Sequence, residues 1–182
     1  MPKFDATTAR CLVFTFKEGL LSPVAHDLKL RVERFEIDIE PASPGAAPRL
    51  TARFESRSLR VVCAMKNGRD APDSLSAKDC TDIEKNIVEA VLDVRKHPHI
   101  LFESTSIEPA GGGYLIRGRL GIQGRERVIR LDARKQGDRL VAEARLHQPD
   151  FGIKPFSAML GTIRIKADVD VRVELPASAA AL

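Results

Sequence analysis

The sequence predicts an all-β protein: an antiparallel β-barrel of about eight strands with one amphipathic helix packed against it. Stretches in which apolar and polar residues alternate recur along the 182-residue chain, as strands with one buried face require. The segments that join most of them are too short for parallel crossovers, so the strands pair antiparallel. Only one stretch has helical spacing. A sheet of this length loses its exposed edges by closing into a barrel, although periodicity alone also allows a two-sheet sandwich.

The first half of the chain contains three main strand-like stretches. Residues 11–16 alternate well enough for a strand, with Leu12, Phe14 and Phe16 on one face, and residues 50–55 alternate regularly. Residues 26–40 indicate one long strand, but its apolar positions change parity near Glu33 and Arg34. Such a change within one strand is typical of a β-bulge, and we expect one there.

The one helical stretch covers residues 81–97. Thr81 and Glu84 form a capping-box pattern, in which each side chain satisfies a free N–H group of the first turn. Pro98 cannot continue a helix and marks its end. The apolar positions recur at helical spacing, so the helix is amphipathic and needs an apolar surface to cover. These positions are Ile83, Ile87, Val91 and Val94.

The second half of the chain alternates more regularly than the first. It predicts five strands joined by turns or by one longer connector, and the last strand has the cleanest alternation. The five strands are expected at residues 99–107, 114–122, 128–133, 140–146 and 163–175.

The composition describes one ordinary globular domain. Apolar residues make up 43% of the chain and charged residues 30%. No stretch approaches the roughly 18 consecutive apolar residues of a membrane-spanning helix. We expect a barrel domain at residues 10–175, a turn at 19–24, and loose tails at 1–9 and 176–182. The first residues lack the basic start and apolar run of a secretory signal, so a cytoplasmic protein is expected.

The sequence shows no pattern of catalytic or metal-ligating residues. Cys11, Cys63 and Cys80 fit neither a disulfide framework nor a zinc site, and are interpreted as small apolar residues. His97 and His99 have no third ligand nearby. No nucleophile motif or phosphate-binding loop is present. We expect a protein that is not an enzyme and needs no metal or cofactor, although dispersed catalytic residues would leave no signature.

The candidate binding surface is the inward, apolar face of the strands. Apolar walls suit a hydrocarbon ligand, because each buried methylene group contributes about 0.8 kcal/mol. The alternative is that the same side chains fill the barrel, and barrels of this size do either. The low aromatic content of 5% leaves few large rings to fill the lumen. The candidate lumen residues are Phe14, Phe16, Leu28, Leu30, Phe35, Phe54, Phe102, Ile116, Leu120, Ile163, Ile165, Val169 and Val171.

A second set of residues is expected at the mouth of the barrel. The connector at 149–161 carries an apolar cluster that forms either a movable rim or a local plug. His26 and Asp27 precede a strand, where they would meet the polar head of a ligand or make hydrogen bonds at the strand start. The rim candidates in the connector are Phe151, Phe156, Met159 and Leu160.

Three short motifs follow the predicted helix in a defined order. They are a proline with an I-x-F-x-S strand (Pro98, Ile100, Phe102, Ser104), a G-x-L-x-I-x-G hairpin (Gly118, Leu120, Ile122, Gly124), and D-F-G-I (Asp150, Phe151, Gly152, Ile153). In this order and spacing the chain resembles the YceI family of lipocalin-like, polyisoprenoid-binding proteins, over roughly residues 10–175. His97 stands where that family often has an aromatic residue.

The resemblance implies a lipocalin-like barrel of about eight antiparallel strands with the helix packed against it. It also implies an elongated apolar cavity able to hold an isoprenoid or a similar lipid tail, such as that of a quinone. It does not imply an enzyme. Many members of the family are exported, whereas no secretion signal is visible in this chain.

The net charge of +4 is concentrated between Arg117 and Arg139, where eight residues are basic and three acidic. On strands, these side chains face solvent or contact an anionic partner. The competing hypothesis is therefore a filled barrel that acts as an interaction module through this basic surface. Nucleic acid is not expected, because Tyr114 is the only aromatic residue on those strands and the chain has no Trp. An edge strand or the outer face could support a homodimer, without a specific interface signature.

Overall fold

The computed structural model describes residues 2–18 and 25–180, and the turn expected at 19–24 lies outside them. Within the described residues the chain forms thirteen strands and one α-helix, α1 (Ala77–Asn86). The strands are β1 (Lys3–Phe4), β2 (Arg10–Lys17), β3 (Asp27–Val32), β4 (Phe35–Glu40), β5 (Arg49–Glu55), β6 (Leu59–Lys66), β7 (Arg69–Ala71), β8 (His99–Ala110), β9 (Gly113–Ile122), β10 (Arg125–Gln136), β11 (Arg139–His147), β12 (Ser157–Ala158) and β13 (Ile163–Pro176).

The sheet curls and closes through two kinked segments. Hydrogen-bonded neighbours follow the order β1-β4-β5-β8-β9-β10-β11-β13-β2-β3-β6-β7, with β12 on β13. β3 runs into β4, and β5 runs through Ser56–Ser58 into β6. These two continuous segments, β3–β4 and β5–β6, pair with each other at both ends of the order: β4 pairs with β5 at one end, and β3 pairs with β6 at the other. The sheet is therefore closed. The strand pairs are antiparallel, and the predicted all-β barrel is confirmed.

The described part of the chain has thirteen strands, so the prediction of about eight is wrong. The expected long strand breaks completely at Glu33 and Arg34, where a bulge was predicted, and a second break separates β5 from β6. The register between β3 and β6 shifts instead at Lys29 and Leu30. β1, β7 and β12 have only two or three residues, which is too short to leave an alternating pattern in the sequence.

Ser58 connects the two breaks. It is only 1% exposed. Its hydroxyl accepts a hydrogen bond from the Arg34 N–H at 2.9 Å and donates one to the Glu55 carbonyl at 2.8 Å. Its carbonyl accepts from the Glu33 N–H at 3.0 Å. These bonds satisfy backbone groups that the strand breaks remove from the ladder, as burial requires.

Helix α1 begins four residues before the predicted start. The Ser76 hydroxyl accepts from the Asp79 N–H at 3.2 Å, and the Asp79 carboxylate accepts from the Ser76 N–H at 2.8 Å. This capping box replaces the one predicted at Thr81 and Glu84. Thr81 lies inside the helix, and the Glu84 carboxylate instead accepts from the Val61 N–H at 2.9 Å. That bond ties α1 to β6 on the barrel.

The helix also ends earlier than predicted. A single π-helical turn, Ile87–Val91, follows α1, and Asp93 adopts a left-handed φ of 41°. The N–H groups of Lys96 and His97 both donate to the Asp93 carbonyl, so residues 93–97 form a tight turn. Among the described residues, no helix has the length and apolar content to cross a membrane.

The described residues near both ends of the chain belong to the fold, where loose tails were expected. Lys3–Phe4 pair with β4, and Phe4 and Ala9 are buried, so residues 3–9 are part of the barrel. Ala177–Ala180 form a 3₁₀ turn with Ala179 buried. These apolar side chains join the core at the end of the barrel where β13 finishes.

Candidate ligand-binding cavity

An apolar cavity of about 570 Å³ lies inside the barrel. This volume falls within the range of roughly 300–1,000 Å³ for small-molecule pockets. Its walls are inward-pointing side chains of the long strands, and α1 contributes to one end. Ten of the thirteen predicted lumen residues line it: Leu28, Leu30, Phe54, Phe102, Ile116, Leu120, Ile163, Ile165, Val169 and Val171.

The other three predicted lumen residues, Phe14, Phe16 and Phe35, do not line the cavity. Phe35 is buried and packs against Phe54, with the ring centroids 5.8 Å apart. Phe35 therefore supports a lining residue without reaching the lumen itself.

The face of β2 that points into the lumen is the opposite of the one predicted. Val13 pairs with Leu30 of β3, which lines the cavity. Phe14 stands on the outer face between Lys29 and Asp170. Residues 11–16 are all apolar apart from one threonine, so alternation does not define the buried face, and the bulkier side chains are not the inward ones. The inward residues of β2 are Cys11, Val13 and Thr15.

Strands β10 and β11 supply wall residues that the sequence prediction omitted. Ala142 and Ala144 stand between larger side chains on β11, and Ala133 does so on β10. Small side chains at these positions leave the lumen unfilled. The alternating pattern of both strands was visible in the sequence and could have identified them. The omitted residues are Ile129, Leu131, Ala133, Leu140, Ala142, Ala144 and Leu146.

One face of α1 lies at an opening of the cavity, because Asp79, Asp82 and Asn86 line the cavity and are also exposed. The lining residues on this face are three or four positions apart, which places them on one side of a helix. The Ser76 hydroxyl donates a hydrogen bond to the Asp79 carboxylate, and this is the main reason that the pKa of Asp79 is lowered; a second hydrogen bond from the Ser76 N–H lowers it further. This carboxylate therefore stays charged at neutral pH. The mouth is therefore acidic and rich in hydrogen-bond acceptors on this side. The residues concerned are Asp79, Asp82, Ile83, Asn86 and Ile87.

The predicted rim residues divide into two groups. His26, Phe151 and Phe156 line the cavity, and Phe151 is buried. Met159 and Leu160 do not line it: they are 64% and 108% exposed. The first three side chains form part of the cavity wall, whereas the last two are exposed to solvent.

Asp27 does not line the cavity either. Its carboxylate accepts a hydrogen bond from the Lys17 N–H at 2.8 Å, which joins the ends of β2 and β3. The alternative role predicted for it, a hydrogen bond at the strand start, is the one that the structure shows.

Polar groups are few along the wall. The Thr15 hydroxyl is buried and has no hydrogen-bond partner among the described residues. The Gln148 side chain, 8% exposed, donates to the Lys166 carbonyl at 3.0 Å. Burial raises the pKa of the Cys11 thiol to about 12, so this lining group is uncharged. In the part of the chain that the structure describes, no three potential ligands cluster to hold a metal ion.

The predicted basic surface carries several ion pairs. Arg117 lies 3.3 Å from Glu108, and Arg119 lies 3.2 Å from Glu103 and 3.4 Å from Glu126. Three of the eight basic residues in this region, Arg117, Arg119 and Arg130, therefore have a carboxylate partner.

The comparisons with known proteins agree with this architecture. A family model of the YceI-like domain matches residues 12–177, which include the helix and all of the barrel except β1 and the first two residues of β2. This chain belongs to the YceI-like family. YceI-like proteins are known as barrels that bind lipids and polyisoprenoids. The family resemblance of the sequence motifs is thus confirmed.

Solved structures share the YceI-like fold with this chain. BcnA of Burkholderia cenocepacia superposes with a TM-score of 0.64 at 14% identity, covering 94% of this chain and 97% of BcnA. The YceI protein of Campylobacter jejuni superposes with a TM-score of 0.56 at 15% identity, covering 88% of both chains. None of the curated proteins compared with this chain matches it. At these identities the likeness establishes the fold alone.

Proposed function

We propose that this YceI-like barrel binds and carries, without enzymatic activity, a long apolar ligand such as a polyisoprenoid, a quinone tail or a similar lipid. The observation that carries the proposal is the cavity of about 570 Å³, whose walls are largely apolar. A tail that buries about ten methylene groups gains about 8 kcal/mol from transfer out of water, before the cost of ordering it.

The mouth favours a polar head group that donates hydrogen bonds. Asp79 and Asp82 present carboxylates from α1, and Asn86 adds an amide beside them. A hydroxyl head group would donate to these acceptors. A phosphate head group would meet like charge, which weakens binding.

The competing function, an interaction module that uses the basic surface, has less support. It requires a filled barrel, whereas this barrel contains a cavity of substantial volume. It also requires positive charge free to contact a partner, and three of the eight basic residues of that surface, Arg117, Arg119 and Arg130, are engaged with carboxylates.

Native mass spectrometry of the purified protein tests the proposal. We expect a stoichiometric lipid mass that organic extraction removes and that an added polyprenol restores. If the protein carries no adduct and also fails to bind added polyprenols and quinones, the carrier function is wrong. High salt separates the two functions, because it weakens contacts with an anionic partner and leaves a tail held by apolar burial in place.

A further inference from the structure

We propose that the hairpin formed by β12 and the start of β13 docks the protein on a lipid bilayer, with Met159 and Leu160 inserted among the lipids. Both side chains are largely exposed, Leu160 completely. They are adjacent in sequence, and neither lines the cavity. Together they form a small exposed apolar patch that does not take part in the packing of the barrel.

The base of this hairpin is held firmly. Ser157 pairs with Arg164 and Ala158 with Ile163, as β12 against β13. The Ile165 N–H also donates to the Phe156 carbonyl at 3.0 Å. The tip therefore projects from a fixed support, as a membrane anchor must.

The backbone of the tip makes its apolar side chains unexpected. Met159 and Leu160 have φ values of 51° and 56°, and Gly161 follows with 86°. The left-handed region favours Gly, Asn and Asp, and a bulky residue there is uncommon. A turn selected only for solvent and geometry would carry polar residues at these two positions. Large apolar residues in such a conformation indicate a contact outside the barrel.

The tip lies next to residues that line the cavity. Phe156 and Ala158 precede it, Ile163 follows it, and all three line the cavity. The tip thus stands at the edge of the opening. A protein seated on a bilayer by Met159 and Leu160 would bring the cavity mouth to the lipid surface.

The charges nearest in sequence suit an anionic lipid surface. Lys154 and Lys166 are exposed on either side of the hairpin. Arg164 lies 3.6 Å from Glu18, and both side chains are more than half exposed. Basic side chains next to an apolar tip are the combination by which peripheral proteins bind membranes that contain acidic lipids. Asp79 and Asp82 line the cavity from α1, and their negative charges oppose an anionic surface. Apolar insertion therefore supplies most of the attraction.

Vesicle sedimentation tests the docking surface. The probe is a set of vesicles made of equal parts phosphatidylcholine and phosphatidylglycerol. The double variant Met159→Ser with Leu160→Ser should partition at least about tenfold more weakly than the unaltered protein, because two apolar side chains no longer leave water. The matched control is Val128→Ser, since Val128 is 71% exposed on the outer face of β10. This control should bind like the unaltered protein.

Fluorescence supplies a second, direct readout, because the chain has no tryptophan. A Met159→Trp variant should shift its emission to the blue on adding vesicles and be quenched by brominated lipids. Val128→Trp should do neither. Unchanged binding of the double variant, or an unshifted Met159→Trp spectrum with vesicles bound, would overturn the proposal. So would tip variants that bind vesicles normally and lose a protein partner. Sedimentation reports docking alone, whereas native mass spectrometry reports the cavity ligand, so each proposal can fail independently.

Discussion

The ring of Phe102 occupies the space where a β-carbon on Gly118 would lie. Phe102 pairs with Leu120, and Ser104 pairs with Gly118, so the ring leans diagonally across β8 and β9. The Glu103 carbonyl closes the same space from the backbone side. The missing side chain of Gly118 is therefore what allows Phe102 to form part of the cavity wall.

Gly118→Ala should destabilise the protein by about 1–3 kcal/mol, because the new methyl group must displace the ring or the strand. Urea unfolding measures the change. Gly121→Ala is the matched control on the same strand: its nearest foreign atom, the Leu101 carbonyl oxygen, would be 3.9 Å from the new carbon. The control should lie within about 0.5 kcal/mol of the unaltered protein. Equal effects of the two substitutions would show that the close approach of Phe102 is not the cause.

Ala144→Phe should fill the lumen and reduce the amount of lipid that the protein retains. Ala144 lines the cavity on β11, where its small side chain leaves free space. Native mass spectrometry should show a loss of adduct or a shift to shorter tails. Val128→Phe adds a ring on the outer face, where the position is exposed, and should retain the ligand. Retention of the same ligand at the same occupancy by Ala144→Phe would place the binding site elsewhere.

The sequence predicted the barrel, and it identified part of the cavity wall on strands where alternation was unambiguous. On β13, apolar residues such as Ile163 and Val169 alternate with charged ones, so the inward face followed directly. On β2, both faces are apolar, and only the pairing of Val13 with Leu30 identifies the inner face. Register is a tertiary property that a single strand does not encode.

The start of the helix could not be predicted from the local sequence either. Two capping-box patterns compete there, one at Ser76 and Asp79 and one at Thr81 and Glu84. The Glu84 carboxylate accepts a hydrogen bond from the Val61 N–H on β6 and does not cap the helix. The helix is capped by Ser76 and Asp79 instead. A partner distant in sequence decided between two locally equivalent starts. The exposed pair at the β12–β13 tip had no such signal, because an apolar cluster in a connector normally predicts burial.

Asp82→Asn should bind a polyprenyl phosphate about two- to fivefold more tightly than the unaltered protein. Asp82 lines the mouth and is exposed, so removing its charge weakens the repulsion of a phosphate by a modest, salt-screened amount. Binding of the corresponding alcohol should change little. Glu89→Gln removes an exposed charge that does not line the cavity and serves as the control. Competition between alcohol and phosphate at low and high salt measures the difference. A similar gain in Glu89→Gln would assign the effect to net charge.

Ser58→Ala should cost about 1–3 kcal/mol, because it leaves the Arg34 N–H without its partner at a buried strand break. Ser157→Ala, at an exposed position on β12, should cost little. Thermal unfolding of the two variants gives the comparison. A stable Ser58→Ala protein would mean that water reaches the break and replaces the hydroxyl.

Stability should fall in alkaline solution through Cys11. Burial raises the pKa of its thiol from 9.0 to about 12 in the folded protein, so the folded state holds this proton more tightly than the unfolded chain. The contribution is complete below pH 9 and is lost as the pH rises towards 12. The free energy of unfolding, measured across this interval for the unaltered protein and for Cys11→Ala, should differ by a constant amount below pH 9 and by a shrinking amount above it. A constant difference throughout would mean that solvent enters the cavity and reaches the thiol, which a lumen sealed by apolar side chains or by a lipid tail excludes.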